Sequence, residues 1–304
     1  MEYVIRTENL TKKYGKFLAL SNVNMSIPKG AIYGFVGKNG AGKTTLIRLL
    51  CGLQDPTEGW YSIYGIQNND KRIIQSRKRM GAIVETPSIY MNMTARDNLI
   101  EQYRILGIKE LDGIDELLEL VNLAGTSSKK ARHFSLGMRQ RLGIAIALVG
   151  NPDFLVLDEP INGLDPEGII EIRELLLKLN REMKITILIS SHILEELSKL
   201  ATHYGFIDKG RVIKELSAQE IEDLCRKCIR VDMDDTGKLC KALDDYGVEY
   251  KIISNHIADI YGDIAITDIV LKLAEVGGKV ENIYNKDENL ETFYIKLLRG
   301  DINE

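Results

Sequence analysis

The sequence predicts an α/β chain in which a large domain on a mainly parallel sheet is followed by a small α+β domain. Three observations carry this. The runs FLVLD (154–158) and TILISS (186–191) are apolar along their length, as strands buried on both faces of a parallel sheet are. PEGIIEIRELLLKLNRE, between them, has helical spacing and reads as their crossover. GKNGAGKT, residues 37–44, follows a strand-like run and precedes a helical one. A length of 304 residues suits a larger and a smaller domain.

In chain order, YVIRTENL, LALSNVNMSI and AIYGFV read as short strands, rich in alternating or β-branched apolar residues and separated by Gly15, Pro28 and Gly30. The pattern turns helical from Lys43 to Leu50. Helices dominate from about 70 to 150, among them TARDNLIEQYRILG, which Thr94 can cap, and IDELLELVNLAG. Composition shifts near 216–228. Beyond it CIRVDMD, TGKLCKALDDYG, VEYKIIS, HIADIYG, ITDIVLKLAEVGG, KVENIYN and NLETFYIKLLRG read as strand, helix, strand, strand, helix, strand, helix. That order suits a ferredoxin-like domain. The expected division is a large domain over 1–215, a linker over 216–227 and a small domain over 228–304.

A net charge of −4 gives no general reason to bind nucleic acid. The basic clusters at Lys71, Arg72, Arg77, Lys78, Arg79 and at Lys129, Lys130, Arg132 read as solvated faces. The opening MEYVIRTENL lacks the charged start and apolar core of a signal peptide, and four scattered cysteines favour a reducing cytosol. Cys225 and Cys228 form a CxxC without a second pair at zinc spacing. The apolar stretch Ile144 to Val149 is far shorter than the about 20 residues that cross a bilayer.

GKNGAGKT fits G-x-x-x-x-G-K-[ST], in which glycines let consecutive N–H groups turn around phosphate oxygens at a helix N-terminus. Lys43 is placed to bridge the β- and γ-phosphates, and Thr44 to ligate Mg²⁺. FLVLDEP then delivers Asp158 to that metal and Glu159 one residue further on, where it can orient or deprotonate a water.

With these residues in place the chain resembles the nucleotide-binding subunit of an ATP-binding cassette (ABC) transporter over residues 1 to about 215. The resemblance rests on an ordered series: Tyr14, GKNGAGKTT, Glu85 at the Gln-loop position, FSLGM, LDEP, NGLDP and SSH ending at His192. It implies a P-loop NTPase cassette with an antiparallel β subdomain and a helical subdomain over about 86–150. ATP would be held by Tyr14, by Gly37, Lys38, Asn39, Gly40, Ala41, Gly42, Lys43, Thr44 and Thr45, and by Ser135, Gly137 and Asp165. Thr44, Glu85 and Asp158 would hold Mg²⁺. Glu159, His192 and Lys43 would be the catalytic residues.

In this family two subunits pair head to tail, each ATP lying between one phosphate loop and the other subunit's signature. The usual LSGGQ is here Phe134, Ser135, Leu136, Gly137, Met138. Leu136 in place of glycine is expected to restrict the backbone, and Met138 removes a polar side chain. Ser135, Gly137 and a helix starting near Met138 keep the phosphate-facing groups. FSLGM together with Glu85 resembles the bacitracin and lantibiotic resistance subgroup. The resemblance implies an ATPase peripheral at the inner face of the cell membrane, paired with a second ATP-binding subunit of the same or a different kind. It would drive a separately encoded permease that exports an antimicrobial peptide or similar compound. The rival readings are a soluble cassette ATPase acting on ribosomes or DNA and a regulator that binds ATP without hydrolysing it.

Overall fold

The computed structural model describes residues 2–126, 128–243, 247–262, 264–286 and 289–299. The chain divides into two compact units, 1–218 and 219–304.

In the first unit β1 (Tyr3–Tyr14) and β2 (Phe17–Pro28) form an antiparallel hairpin. Both strands run longer than the sequence pattern indicates. β1 continues through an irregularity at Asn9, whose φ is +48°, so that polar Lys12 and Lys13 extend a strand whose alternation has already broken. There follow β3 (Ile32–Val36), α1 (Lys43–Leu50), β4 (Glu58–Ile63), β5 (Ile66–Gln67), α2 (Ile73–Arg77) and β6 (Met80–Ile83). β1, β2, β4 and β5 make one antiparallel sheet in the order β2-β1-β4-β5.

Three helices come next: α3 (Ala95–Ile105), α4 (Ile114–Leu120) and α5 (Leu136–Leu148). Thr94 caps α3 in a reciprocal box with Asp97, satisfying amide groups that the first turn leaves unpaired. β7 (Phe154–Asp158), α6 (Pro166–Arg181), β8 (Thr186–Ser191), α7 (Leu194–Ser198), β9 (His203–Asp208) and β10 (Arg211–Ser217) complete the unit.

The second sheet has the order β10-β9-β3-β8-β7-β6 and is parallel except for β10. Every residue of β3, β7 and β8 is buried, which accounts for their unbroken apolar runs. One buried cluster joins Leu10 and Met25 of the first sheet, Leu46 and Leu50 of α1, and Val156 and Leu188 of the second. α1 is thereby anchored by its apolar face while its N-terminus stays at the sheet's C-terminal edge, where α/β sheets place their ligands.

The stretch expected as a linker holds the end of β10 and α8 (Ala218–Leu224), and the division between the two units falls within it. The second unit holds β11 (Cys228–Met233), α9 (Thr236–Leu243), β12 (Glu249–Ile252), β13 (Ile257–Tyr261), α10 (Ile266–Glu275), β14 (Val280–Lys286) and α11 (Leu290–Arg299). Of the expected helix TGKLCKALDDYG, Asp244, Asp245 and Tyr246 lie outside the described residues. The sheet is antiparallel in the order β12-β13-β11-β14, the ferredoxin-like split βαβ arrangement. Val231, Leu239, Ile260, Ile269 and Leu273 are fully buried in its core. Burial pushes the Cys228 thiol up to about 11, so the CxxC contains a protonated thiol rather than a reactive one.

Candidate nucleotide site

The loop between β3 and α1 is shaped by glycine. A Cβ on Gly37 would stand 2.6 Å from Ile207 Cγ2, and Gly42 takes a φ of +114° that side chains rarely permit. Lys43 opens α1 almost wholly buried. Its ammonium donates to the carbonyls of Gly37 (2.6 Å) and Lys38 (3.3 Å), bracing the loop from inside. A cavity of about 290 Å³ opens here, lined by Phe17, Ala19, Asn39, Gly40, Gly42, Lys43, Thr44, Thr45 and Glu159.

The end of β7 supplies the acids. Asp158 is buried; its Oδ2 accepts from Thr44 Oγ1 (2.8 Å) and its Oδ1 from Ser190 Oγ (2.6 Å). Ser190 is its register partner on β8, and the same hydroxyl accepts from the Glu159 amide at 2.9 Å. Glu159 turns out of the strand with φ +50°. One of its carboxylate oxygens lies 3.1 Å from Lys43 Nζ, the other 2.8 Å from His192 Nδ1. The Oε1 atom is buried and accepts no hydrogen bond, its contact with Lys43 being ionic only. One string of groups thus runs Thr44, Asp158, Ser190, Glu159, His192, with Lys43 beside it. Ser190 is the member that sequence reasoning missed. Its signal was its place in SSH, two residues before His192, but only strand register shows what it bonds.

A second group lies elsewhere. Ser135 caps α5 by accepting from the Met138 amide (3.2 Å), and Asp165 caps α6 by accepting from Gly168 (3.1 Å). A Cβ on Gly137 would stand 3.8 Å from Gly168 Cα, so the two capped helix ends are neighbours. α5 starts at Leu136, two residues before the expected Met138, because Ser135 already supplies the cap. Leu136 does not have a positive φ, so the helical position held by leucine needs no glycine and the expected backbone restriction is absent. None of Ser135, Gly137 and Asp165 lines the phosphate-loop cavity.

Two expected residues stand apart. Tyr14 faces Phe17 across the hairpin, its hydroxyl donates to Gln54, and Phe17 rather than Tyr14 lines the cavity. Glu85 has φ +64° and its carboxylate pairs with the Arg48 guanidinium, away from the cavity lining.

Residues 20–162 match the ABC transporter family model. The chain is 41% identical over 303 residues, 99% of each chain, to the bacitracin transport ATP-binding protein BcrA of Bacillus licheniformis. It belongs to the ABC transporter family. The cassette is also 43% identical to the lantibiotic transport ATP-binding protein SrtF of Streptococcus pyogenes, over 73% of this chain and 94% of that one. Among solved structures, cbiO1 from Clostridium perfringens, part of the ABC transporter complex cbiONQ, superposes with a TM-score of 0.66 at 27% identity, covering 73% of this chain and 92% of that one. The dimeric post-hydrolysis state of the cassette MJ0796, bound to ADP and Pi, gives 0.62 at 27% identity, covering 70% and 98%. This ABC protein is a nucleotide-binding ATPase subunit. Among the described residues no helix is long and apolar enough to cross a membrane.

Proposed function

We propose that this ABC subunit hydrolyses ATP between two copies of the cassette and drives a separately encoded membrane permease that exports a bacitracin-like or lantibiotic-like peptide. The observation that carries the reading is the string from Thr44 to His192 beside Lys43. Its residues fit Mg²⁺: Thr44 Oγ1 and Asp158 Oδ2 are hard oxygen donors 2.8 Å apart at the cavity's edge, the donor chemistry this cation takes. Held by Thr44 and Asp158, the metal would supply positive charge against the negative charge of the phosphates.

The chain's own residues do the rest. The amides after Gly37 and the N-terminus of α1 hold the phosphates, and Lys43 moves its ammonium charge onto them. Ser190 fixes both acids at once: it holds Asp158 towards Thr44 and pins the Glu159 backbone. Glu159 takes the proton of the attacking water, and His192 orients the carboxylate from the other side. Ser135 and Gly137 of a second copy close over the γ-phosphate, with Asp165 steadying the neighbouring helix end. In this reading the metal set is Thr44 and Asp158, and Phe17 supplies the aromatic wall for adenine, with Tyr14 beside it across the hairpin.

The subunit then sits at the cytoplasmic face of the membrane on its permease. The transport reading is tested in cells carrying this gene and its permease, by measuring growth at increasing bacitracin and lantibiotic concentrations. Wild type should tolerate one of these peptides and Glu159→Gln should not. Equal sensitivity of both to every peptide tried would remove the proposed substrate class.

A further inference from the structure

Arg141 stands on α5 one turn after Gly137, and Glu171 stands on α6 three residues after Gly168, so each shares a helix face with the glycine before it. Those two glycines mark where the helices meet, and further along the same faces Arg141 Nη2 lies 3.4 Å from a Glu171 carboxylate oxygen. The other arm of the guanidinium reaches a third element. Nη1 donates to the carbonyls of Val121 (3.0 Å) and Asn122 (3.1 Å), at the end of α4, where no further turn of helix supplies a donor. Arg141 is buried, and its Nε makes no hydrogen bond, so this junction holds a charge that is only partly repaid for its lost water. A neutral side chain of similar volume would fill the space without that cost. What it could not do is fix three helices to one planar group.

We infer that Arg141 is a positioning residue for hydrolysis in the other copy: by tying α5 to α6 and to the end of α4, it holds the Ser135 end of α5 against the Asp165 end of α6. The inference rests on the paired-cassette reading proposed above. Ser135 caps α5 six residues before Arg141, and Asp165 caps α6 six residues before Glu171. A tilt of either helix about the glycine crossing therefore moves the two caps relative to each other, and with them the hydroxyl that faces the other copy's phosphate. Arg141 does not line the phosphate-loop cavity, so its own chain's hold on ATP does not depend on it.

The test mixes full-length variants. Arg141→Met should be defective in what it gives its partner and sound in its own phosphate loop, and Glu159→Gln the reverse. Alone, Arg141→Met should turn over ATP about tenfold more slowly than wild type or worse, while its affinity for fluorescent ATP stays within about twofold. An equimolar mixture of the two should show several times the turnover of either variant alone, because each mixed pair has one site with both halves intact. Arg141→Lys keeps the charge and loses the fork, so it should stay nearer to Arg141→Met than to wild type, and it replaces Arg141→Met in the mixture if that chain does not fold. Ser135→Asp mixed with Glu159→Gln is the control. Wild-type turnover in Arg141→Met overturns the inference, as does loss of its ATP binding, or a silent mixture when the control mixture recovers. A control mixture that stays silent instead sinks the paired-cassette reading, and the inference with it.

Discussion

Ser190 shows how much of this site depends on single atoms. Its hydroxyl donates 2.6 Å to Asp158 and accepts 2.9 Å from the Glu159 amide, so Ser190→Ala leaves one buried carboxylate oxygen without its partner, while the amide keeps the Ser190 carbonyl at 3.2 Å. Turnover should fall roughly tenfold or more, about 1.4 kcal/mol of transition-state stabilisation, while ATP binding through Lys43 changes little. Steady-state rates and ATP affinity measured side by side check this; unchanged turnover would show that the serine only fills space. The positions of Lys43, Thr44, Asp158 and Glu159 were legible in the sequence from the spacing of their motifs, and that of His192 from the resemblance to the family. Ser190 was not, since its role comes from lying opposite Asp158 across two strands remote in sequence. The same limit applies to Glu85: its position was readable, and its partner Arg48 became visible only with the fold.

Among the elements, α5 separates structure from chemistry. Ser135 caps the helix; in the proposed function its hydroxyl would also face the phosphate held by a second copy. Ser135→Ala should cost about 1 kcal/mol of stability and lower turnover. Ser135→Asp, which caps equally well, should keep stability but lose turnover through charge repulsion at the γ-phosphate. Melting temperature and ATPase rate of the two variants distinguish the roles; full activity in Ser135→Asp would contradict the phosphate contact. The expected start of α5 near Met138 missed the cap because FSLGM was read through the family's motif rather than as a helix boundary.

A second element-level prediction concerns β10, where Glu215 accepts from Tyr33 on β3 (2.5 Å) and from the Ser26 amide on β2 (3.0 Å). Burial raises the Glu215 carboxyl above its ordinary range, against the lowering effect of those two hydrogen bonds. A raised acid binds its proton more tightly folded than unfolded, so its contribution to stability is present below the ordinary carboxylate pKa and is lost as pH rises through the raised value. Glu215→Gln should therefore remove a decline in melting temperature that wild type shows between acidic and neutral pH. Parallel pH profiles for the two proteins would contradict this.

At the scale of the whole molecule, the parallel sheet, the crossover helices and the order of elements in the second unit follow from the sequence, because buried parallel strands and amphipathic helices have distinct periods. The extended hairpin strands and the helix at 218–224 were harder to see, since strand irregularities and polar helix ends blur those periods. One chain gathers Lys43, Thr44, Asp158, Glu159 and His192 in one place and Ser135, Gly137 and Asp165 in another. If each group completes the other's site across two copies, activity belongs to the pair. The most direct measurement is ATP turnover per chain across a range of protein concentrations, with Glu159→Gln as the blank. The account predicts turnover per chain that rises with concentration to a plateau and an inactive blank; turnover that is independent of concentration, or a blank as active as wild type, would contradict it.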